Sequence, residues 1–152
     1  MFHCTKTYGH EEGLSCVFRQ WRAASHCRFL HGYALKVRLE FAASVLDKNG
    51  WVVDFGGLKP IKEWLHQTFD HSVLVARDDP YKERLMDLPY IDMSKTIVLS
   101  NVGCEAFAHH IGLHVQQWLN DDPRNADFNR TVWLVSCEVA EHGGNSAIWI
   151  QE

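Results

Sequence analysis

"SHCRFLHGYALKVRLEF", residues 25–41, joins a cluster of reactive side chains to a run of alternating apolar residues. From Tyr33 onward, apolar side chains occupy every second position and charged side chains occupy the positions between them. Because side chains alternate between the two faces of a β-strand, this pattern predicts a strand with one buried face. Cys27 and His31 stand just before that alternation or at its start. The stretch therefore predicts a sheet protein with chemically active groups at the mouth of one strand.

The composition predicts one folded domain spanning residues 1–152. The chain is 46% hydrophobic and 22% charged, which is typical of globular proteins. No stretch is long and apolar enough to span a membrane, and we expect no signal peptide and a cytoplasmic location. The net charge of −4 argues against a nucleic-acid partner. Five cysteines without a CxxC pair predict reduced thiols.

The remaining segments predict an α+β fold. Residues 56–69, "GGLKPIKEWLHQTF", and 103–119, "GCEAFAHHIGLHVQQWL", have apolar residues at helical spacing. The segments "MFHCTKTY", "RTVWLVSCEV" and "SAIWI" are further strands, and "WVVDF" can form a short one. We expect a long loop at 11–26 and an irregular segment at 70–101 with a brief extended piece, "IVLS". The predicted order is ββ-α-α-ββ, an antiparallel four-stranded sheet with two helices on one face.

Three groups of residues can carry chemistry, although each also has an ordinary structural interpretation. Cys27 beside His31 can be an activated thiol near a cation or metal, or a cysteine at a loop–strand junction. Asp70 next to His71 can relay a proton, or simply begin a turn. Glu141, at the end of a strand and before a glycine turn, can accept two N–H groups of a flat heterocycle, or lie on the surface.

Taken together, these segments resemble the 6-pyruvoyl- and 6-carboxy-tetrahydropterin synthase family, which has the tunnelling fold. "CRFLHGY" resembles the family's Cys-x3-His-Gly-His motif, "WVVDFGGLK" its strand–turn–helix signature and "FDHSVL" its Leu-Asp-His-x-x-Leu. "GCEAFA" and "EHGGNSAIW" stand where the family has its Pro-Thr-x-Glu helix start and its terminal Glu-Thr segment. The resemblance implies a homo-oligomer, expected to be a hexamer, in which sheets from several subunits close into a barrel.

The resemblance also implies a function and residue roles. The three-residue gap between Cys27 and His31 resembles the bacterial 6-carboxy branch, whose lyase cleaves 7,8-dihydroneopterin triphosphate in queuosine and deazapurine synthesis. By that resemblance Cys27 transfers protons, with Asp70 and His71 as its partners, and Glu141 and Glu105 bind the pterin. The alternative is a paralogue that binds a pterin or purine and has lost or altered the lyase reaction, for example toward 6-hydroxymethylpterin.

The expected zinc site departs from the family pattern. The family holds Zn²⁺ with three histidines, one after the first strand and two from His-Gly-His. Here Tyr33 occupies the last position, which leaves His31 from that motif. His10 fits the first position, whereas an alternative register places Phe18 there. His26 or solvent can complete the shell. It stays open whether the basic loop residues contact the triphosphate: Arg19, Arg22 and Arg28.

Overall fold

The computed structural model describes residues 1–123 and 132–152, which form a mixed seven-stranded sheet with helices packed on it. The strands are β1 (Phe2–Tyr8), β2 (Leu14–Phe18), β3 (His31–Ala43), β4 (Ser72–Ala76), β5 (Lys95–Leu99), β6 (Val132–His142) and β7 (Asn145–Ile150). The helices are α1 (Lys59–Phe69), α2 (Lys82–Met86) and α3 (Cys104–Asp121). The strand order is β5-β4-β2-β3-β6-β7, and β1 also pairs with β3.

Strand β3 is the centre of the fold, as its alternating sequence predicts. The apolar side chains of its buried face are fully buried, namely Leu35, Val37, Leu39 and Phe41. One edge of β3 pairs with β6 in antiparallel register, with a shift between Glu40 and Phe41. The other edge is shared, since β1 pairs with residues 37–43 and β2 with residues 31–35. Strand β3 therefore holds both N-terminal strands end to end.

The segment between β1 and β2 forms a compact interruption in what would otherwise be one long strand. Tyr8 pairs with Val37 and Leu14 with Leu35, so residues 9–13 oppose a single residue of β3. They form a short 3-10 turn that Gly13 closes in the left-handed region at φ 71°. The predicted loop at 11–26 is therefore wrong in its first half, because β2 is too short for its alternation to stand out.

Helices α1 and α3 cover the same face of the sheet. Pro60 lies in the first turn of α1, and the predicted stripe ending in Phe69 is buried. Phe107 of α3 meets Phe69 edge-on at 5.5 Å and also meets Phe18 of β2 at 5.1 Å. Both predicted helices are confirmed, and these aromatic contacts join them to the end of the sheet at which β3 begins.

The predicted four-stranded antiparallel sheet is wrong in number and in direction. Strand β4 runs parallel to β2, and β5 runs parallel to β4. Both lie in the segment predicted to be irregular, where the extended piece "IVLS" overlaps β5. The segment "WVVDF" forms bends rather than a strand. The predicted helix break after α3 falls partly at 124–131, outside the described residues. No helix in the described ranges has both the length and the apolar character needed to cross a bilayer.

Candidate active site

Glu141 and Cys104 meet where β6 ends and α3 begins. Burial raises the pKa of the Cys104 thiol to about 12, and the charges of Glu141 and Glu105 raise it further. The thiol donates a hydrogen bond to the Glu141 carboxylate, and the backbone N–H of Glu141 donates to the sulfur. The thiol therefore stays protonated at neutral pH and orients the carboxylate, which is only partly buried.

The start of α3 has its shape because of Gly103. This residue has φ 111°, and a Cβ there would lie 2.4 Å from Nε2 of Gln20. Gln20 is also bound to the turn that carries Cys27, since its backbone N–H donates to the Cys27 carbonyl at 2.9 Å. Glycine thus lets the Cys27 turn and the first residue of α3 approach each other closely.

Tyr33 lies within electrostatic range of Cys27, the predicted proton-transfer residue, and of Glu141, the predicted pterin anchor. Burial raises the pKa of Tyr33, and the charge of Glu141 raises it further. Cys27 and Cys104 act in the same direction. Cys16 belongs to the same group, because burial, then Cys104 and Glu141, raise its pKa to about 12. Side chains from four other segments therefore lie around Tyr33, namely Cys16, Cys27, Cys104 and Glu141.

Phe18, His31 and Tyr33 form a second group, which borders the first at Tyr33. Phe18 is the direct cross-strand partner of His31, and their ring centroids are 5.0 Å apart. The Tyr33 ring lies 5.6 Å from that of His31 and 6.2 Å from that of Phe18. Gly32 permits this pairing, because a Cβ there would lie 2.6 Å from the carbonyl oxygen of Cys16.

Asp70 and His71 form the expected pair directly after α1. Nδ1 of His71 lies 2.6 Å from one carboxylate oxygen of Asp70, and Nδ1 of His66 lies 3.3 Å from the other. Partial burial raises the pKa of Asp70, but the hydrogen bonds from His71 and His66 outweigh this effect and lower it. Among the described residues, no hydrogen bond or ion pair joins this pair to Cys27 within one chain.

Glu105 and the three loop arginines have surroundings of their own. Glu105 is exposed and lines a groove of about 470 Å³ with Trp21 and Arg22, while its charge also acts on the Cys104 thiol. Arg19 forms a two-pronged ion pair with the buried Asp79, at 2.8 Å for each contact. Arg22 forms an ion pair with Asp78, and the Arg28 guanidinium donates to the carbonyls of Ala24 and Ser25.

The sequence of the chain matches a known family. Residues 7–148 fit the family model described as 6-pyruvoyl tetrahydropterin synthase. The chain belongs to this tetrahydropterin synthase family. Among the curated relatives, the 6-carboxy-5,6,7,8-tetrahydropterin synthase of Rickettsia felis is 35% identical over 80 residues, which are 52% of this chain and 55% of that protein. The protein of the same name from Bacillus subtilis is 28% identical over 80 residues, 53% of each. The chain thus spans about half the length of the curated relatives it matches.

Solved structures share the fold over nearly the whole chain. A protein from Wolinella succinogenes superposes with a TM-score of 0.81 at 19% identity, covering 99% of this chain and 98% of that one. The 6-pyruvoyl tetrahydropterin synthase of Plasmodium falciparum gives a TM-score of 0.64 at 16% identity, covering 98% of both. At these identities the similarity establishes the fold of the tetrahydropterin synthases alone.

The residues present do not fit the zinc centre that the tetrahydropterin synthase resemblance implies. His10 lies in the 9–13 interruption, where its Nδ1 is hydrogen-bonded to the Ala34 carbonyl at 2.5 Å. Phe18 instead faces His31, as the alternative register predicts. Neither a phenyl ring nor a phenol replaces imidazole as a zinc ligand. The described parts of the chain contain no group of three histidine, cysteine or acidic side chains able to hold a metal.

Three members of the site escape sequence reasoning. Cys16 lies in the segment predicted to be a loop, Cys104 reads as a substituted neighbour of Glu105, and His66 reads as an exposed helix position. A signal exists only for His66, which stands four residues before Asp70 and so shares a helix face with it. Cys16 and Cys104 join the site only through tertiary contacts, which bring β2, the end of β6 and the start of α3 together.

Proposed function

We propose that the protein is a 6-carboxy-tetrahydropterin synthase-like lyase that binds 7,8-dihydroneopterin triphosphate and processes its side chain in queuosine and deazapurine synthesis. The observation that carries the proposal is the meeting of Glu141, Cys104, Tyr33 and Cys27 at one end of the sheet. Relatives with that name share 35% identity over half the chain. A carboxylate for a flat heterocycle and a thiol for proton transfer thus lie within one group.

Glu141 binds the pterin in this mechanism. The 2-amino group and adjacent ring N–H of a pterin form a pair of parallel donors that a carboxylate accepts in a fork. Because its pKa is raised, the Cys104 thiol stays protonated and donates a further hydrogen bond to Glu141, which holds the carboxylate in place. The pterin plane is thereby fixed relative to Cys27, which is the condition for efficient transfer of a proton from the side chain.

Cys27 moves the proton in this mechanism. The side-chain carbon attached to C6 of the dihydropterin is acidic because its electron pair delocalises onto the neighbouring C=N nitrogen. A thiolate at Cys27 removes this proton, and the pterin ring accepts the charge. Tyr33, whose phenol stays protonated near Glu141, donates a hydrogen bond to a side-chain oxygen. The Asp70–His71 pair serves the same site from a neighbouring subunit.

A second candidate function is favoured by Phe18 and Tyr33. These two side chains lie where the resemblance implies zinc-ligating histidines, so the outcome of side-chain chemistry can differ from that of the metal-bearing relatives. In that case the protein is a family paralogue that binds a pterin or purine and forms another product, such as 6-hydroxymethylpterin.

The product identifies which function is correct. Purified protein is incubated with 7,8-dihydroneopterin triphosphate, with and without EDTA, and the products are separated by mass spectrometry. We expect a 6-carboxy-pterin product with acetaldehyde and triphosphate, at a rate that EDTA does not change. A 6-hydroxymethyl or 6-pyruvoyl product selects the second candidate, whereas unchanged substrate refutes both.

The same proposal includes assembly into a homo-oligomer, expected to be a hexamer. Strand β7 forms one end of the sheet order, and its side chains Ile148 and Ile150 are 58% and 64% exposed. A second copy that pairs with such an edge removes unpaired backbone groups and covers apolar side chains. Light scattering at micromolar concentration tests this, and a monomeric mass refutes it.

A further inference from the structure

A row of alternating acidic and imidazole side chains begins at His71 and continues along helix α1. Asp70 lies 2.6 Å from His71 and 3.3 Å from His66, measured from carboxylate oxygen to Nδ1 in each case. Nε2 of His66 is in turn 3.5 Å from the carboxylate of Glu12, which also forms an ion pair with Lys62 at 2.9 Å. The row extends from an exposed imidazole to a carboxylate in the interruption between β1 and β2.

We propose that His66 is a positioning residue, which holds Asp70 in the orientation in which Asp70 fixes the His71 imidazole. The role in turnover rests on the proposed function, whereas the orientation itself does not. Each oxygen of the Asp70 carboxylate accepts from a different imidazole, so the carboxylate cannot rotate without losing one of the two hydrogen bonds.

The backbone supports the same arrangement. The Asp70 N–H donates to the His66 carbonyl at 3.1 Å, so His66 contacts Asp70 through both its backbone and its side chain. His71 has φ 54°, a left-handed conformation that is unfavourable for a residue other than glycine. The His71 N–H donates to the Ser15 carbonyl at 2.6 Å, which holds this conformation against β2. The pair is therefore fixed at both of its residues.

The consequence of the orientation is chemical. With the Nδ1 proton of His71 donated to Asp70, the lone pair of the imidazole is on Nε2. The His71 side chain is 88% exposed, so Nε2 is open to a substrate or to a neighbouring subunit. The Lys95 ammonium donates to the backbone carbonyls of His66 and Gln67, so these contacts do not occupy the His66 ring.

Substitutions of His66 test the proposal, with Gln67→Leu as the matched control on the neighbouring exposed position. His66→Leu removes the hydrogen bond to Asp70, and His66→Gln retains a donor. Carbon-13 NMR titration of the Asp70 carboxyl is expected to give a higher pKa in His66→Leu than in wild type. His66→Gln is expected to restore most of the difference, because its donor again stabilises the carboxylate.

Turnover supplies the second measurement. In His66→Leu we expect kcat to fall about 10- to 100-fold with KM little changed, since orientation and not substrate binding is lost. His66→Gln should recover most of this loss, and Gln67→Leu should match wild type. If His66→Leu does not fold, His66→Ala replaces it, because alanine has no side-chain donor for Asp70.

The two measurements separate this inference from the proposed function. If wild-type protein leaves 7,8-dihydroneopterin triphosphate unchanged, the proposed function fails, and the Asp70 pKa together with the nitrogen-15 tautomer signature of His71 still decides the positioning role. A pKa and tautomer identical in wild type and His66→Leu overturn the inference. An active enzyme whose kcat is unaffected by His66→Leu overturns it as well.

Discussion

The two sides of Tyr33 differ in how far they keep the family's chemistry. On one side, Glu141 and Cys27 match the pterin anchor and proton-transfer residue that the resemblance implies. On the other, Phe18 and His31 stand where histidines would hold a metal, and only one of them can bind one. The comparison predicts that pterin recognition and metal activation are separable, because in the proposed function they act on different parts of the substrate, the ring and the side-chain oxygens.

The largest expected effect is that of Cys27→Ala. General acid–base catalysis contributes about 10²- to 10⁴-fold to rate, and we expect kcat to fall by that factor. The pterin-binding side should stay intact, so Kd for the pterin should change less than about threefold. Stopped assays of product formation and fluorescence titration with neopterin measure the two quantities. An equal loss of affinity and of kcat would assign Cys27 to binding instead.

Glu141→Gln tests the ring side of the comparison directly. This substitution keeps the shape of the side chain but removes the charge and one of the acceptor positions that a pterin uses. Charge-assisted hydrogen bonds contribute about 1.5–3 kcal/mol each, so pterin affinity should fall roughly 100-fold. Glu105→Gln tests the second predicted pterin contact, and we expect a smaller loss because Glu105 is exposed in the groove with Trp21 and Arg22. Equal effects in the two variants would make Glu105 an equal anchor of the pterin.

The metal side is tested by restoring histidines. The double variant Phe18→His with Tyr33→His places three imidazoles on adjacent strands, where catalytic zinc usually takes three protein ligands. We expect zinc per subunit to rise about tenfold, from a trace to roughly one, in protein purified without a histidine tag. Zinc should also raise the Tm of this variant alone, since it binds only the folded site. One zinc per subunit in wild type would contradict the comparison.

Much of the fold was predictable, because β3, α1 and α3 have strong periodic patterns. Leu35 to Phe41 alternate, and the apolar residues of α1 recur every three or four positions. Strand β2 was missed because five residues with one alternation do not differ from a loop. Strand β4 was missed, and β5 was predicted only as the brief extended piece "IVLS", because such short strands show little alternation and their parallel pairing needs a helix between them.

The sequence alone could predict only those site residues whose type by itself indicates a chemical role. Asp70 and His71 form the expected hydrogen bond. The roles predicted for this pair, and for Cys27 and Glu141, stay predictions. The register of the metal position was not predictable, since His10 and Phe18 fit equally well until the pairing of β2 with β3 placed Phe18 opposite His31. Strand pairing is a tertiary property, and a shift of a few residues changes which side chain is presented.

The smallest expected effect concerns the triphosphate and the three loop arginines. Arg19 is already paired with the buried Asp79, whose pKa the Arg19 hydrogen bond lowers despite burial. Arg22 is paired with Asp78. The Arg28 guanidinium donates to two carbonyls and lies over the Phe29 ring, and no carboxylate among the described residues forms an ion pair with it. Arg28 is therefore the arginine best able to bind a phosphate.

Arg28→Ala should weaken binding of dihydroneopterin triphosphate about fivefold, which is modest because the side chain is exposed and screened by salt. Neopterin without phosphate should bind this variant as it binds wild type, so the difference between the two ligands isolates the phosphate contribution. Arg22→Ala is the control and should leave both affinities within twofold. Equal weakening of triphosphate binding by Arg22→Ala and Arg28→Ala would contradict this assignment. It would mean that the Arg22–Asp78 ion pair opens when the ligand binds, and that this loop couples the ring side of the site to the side-chain side.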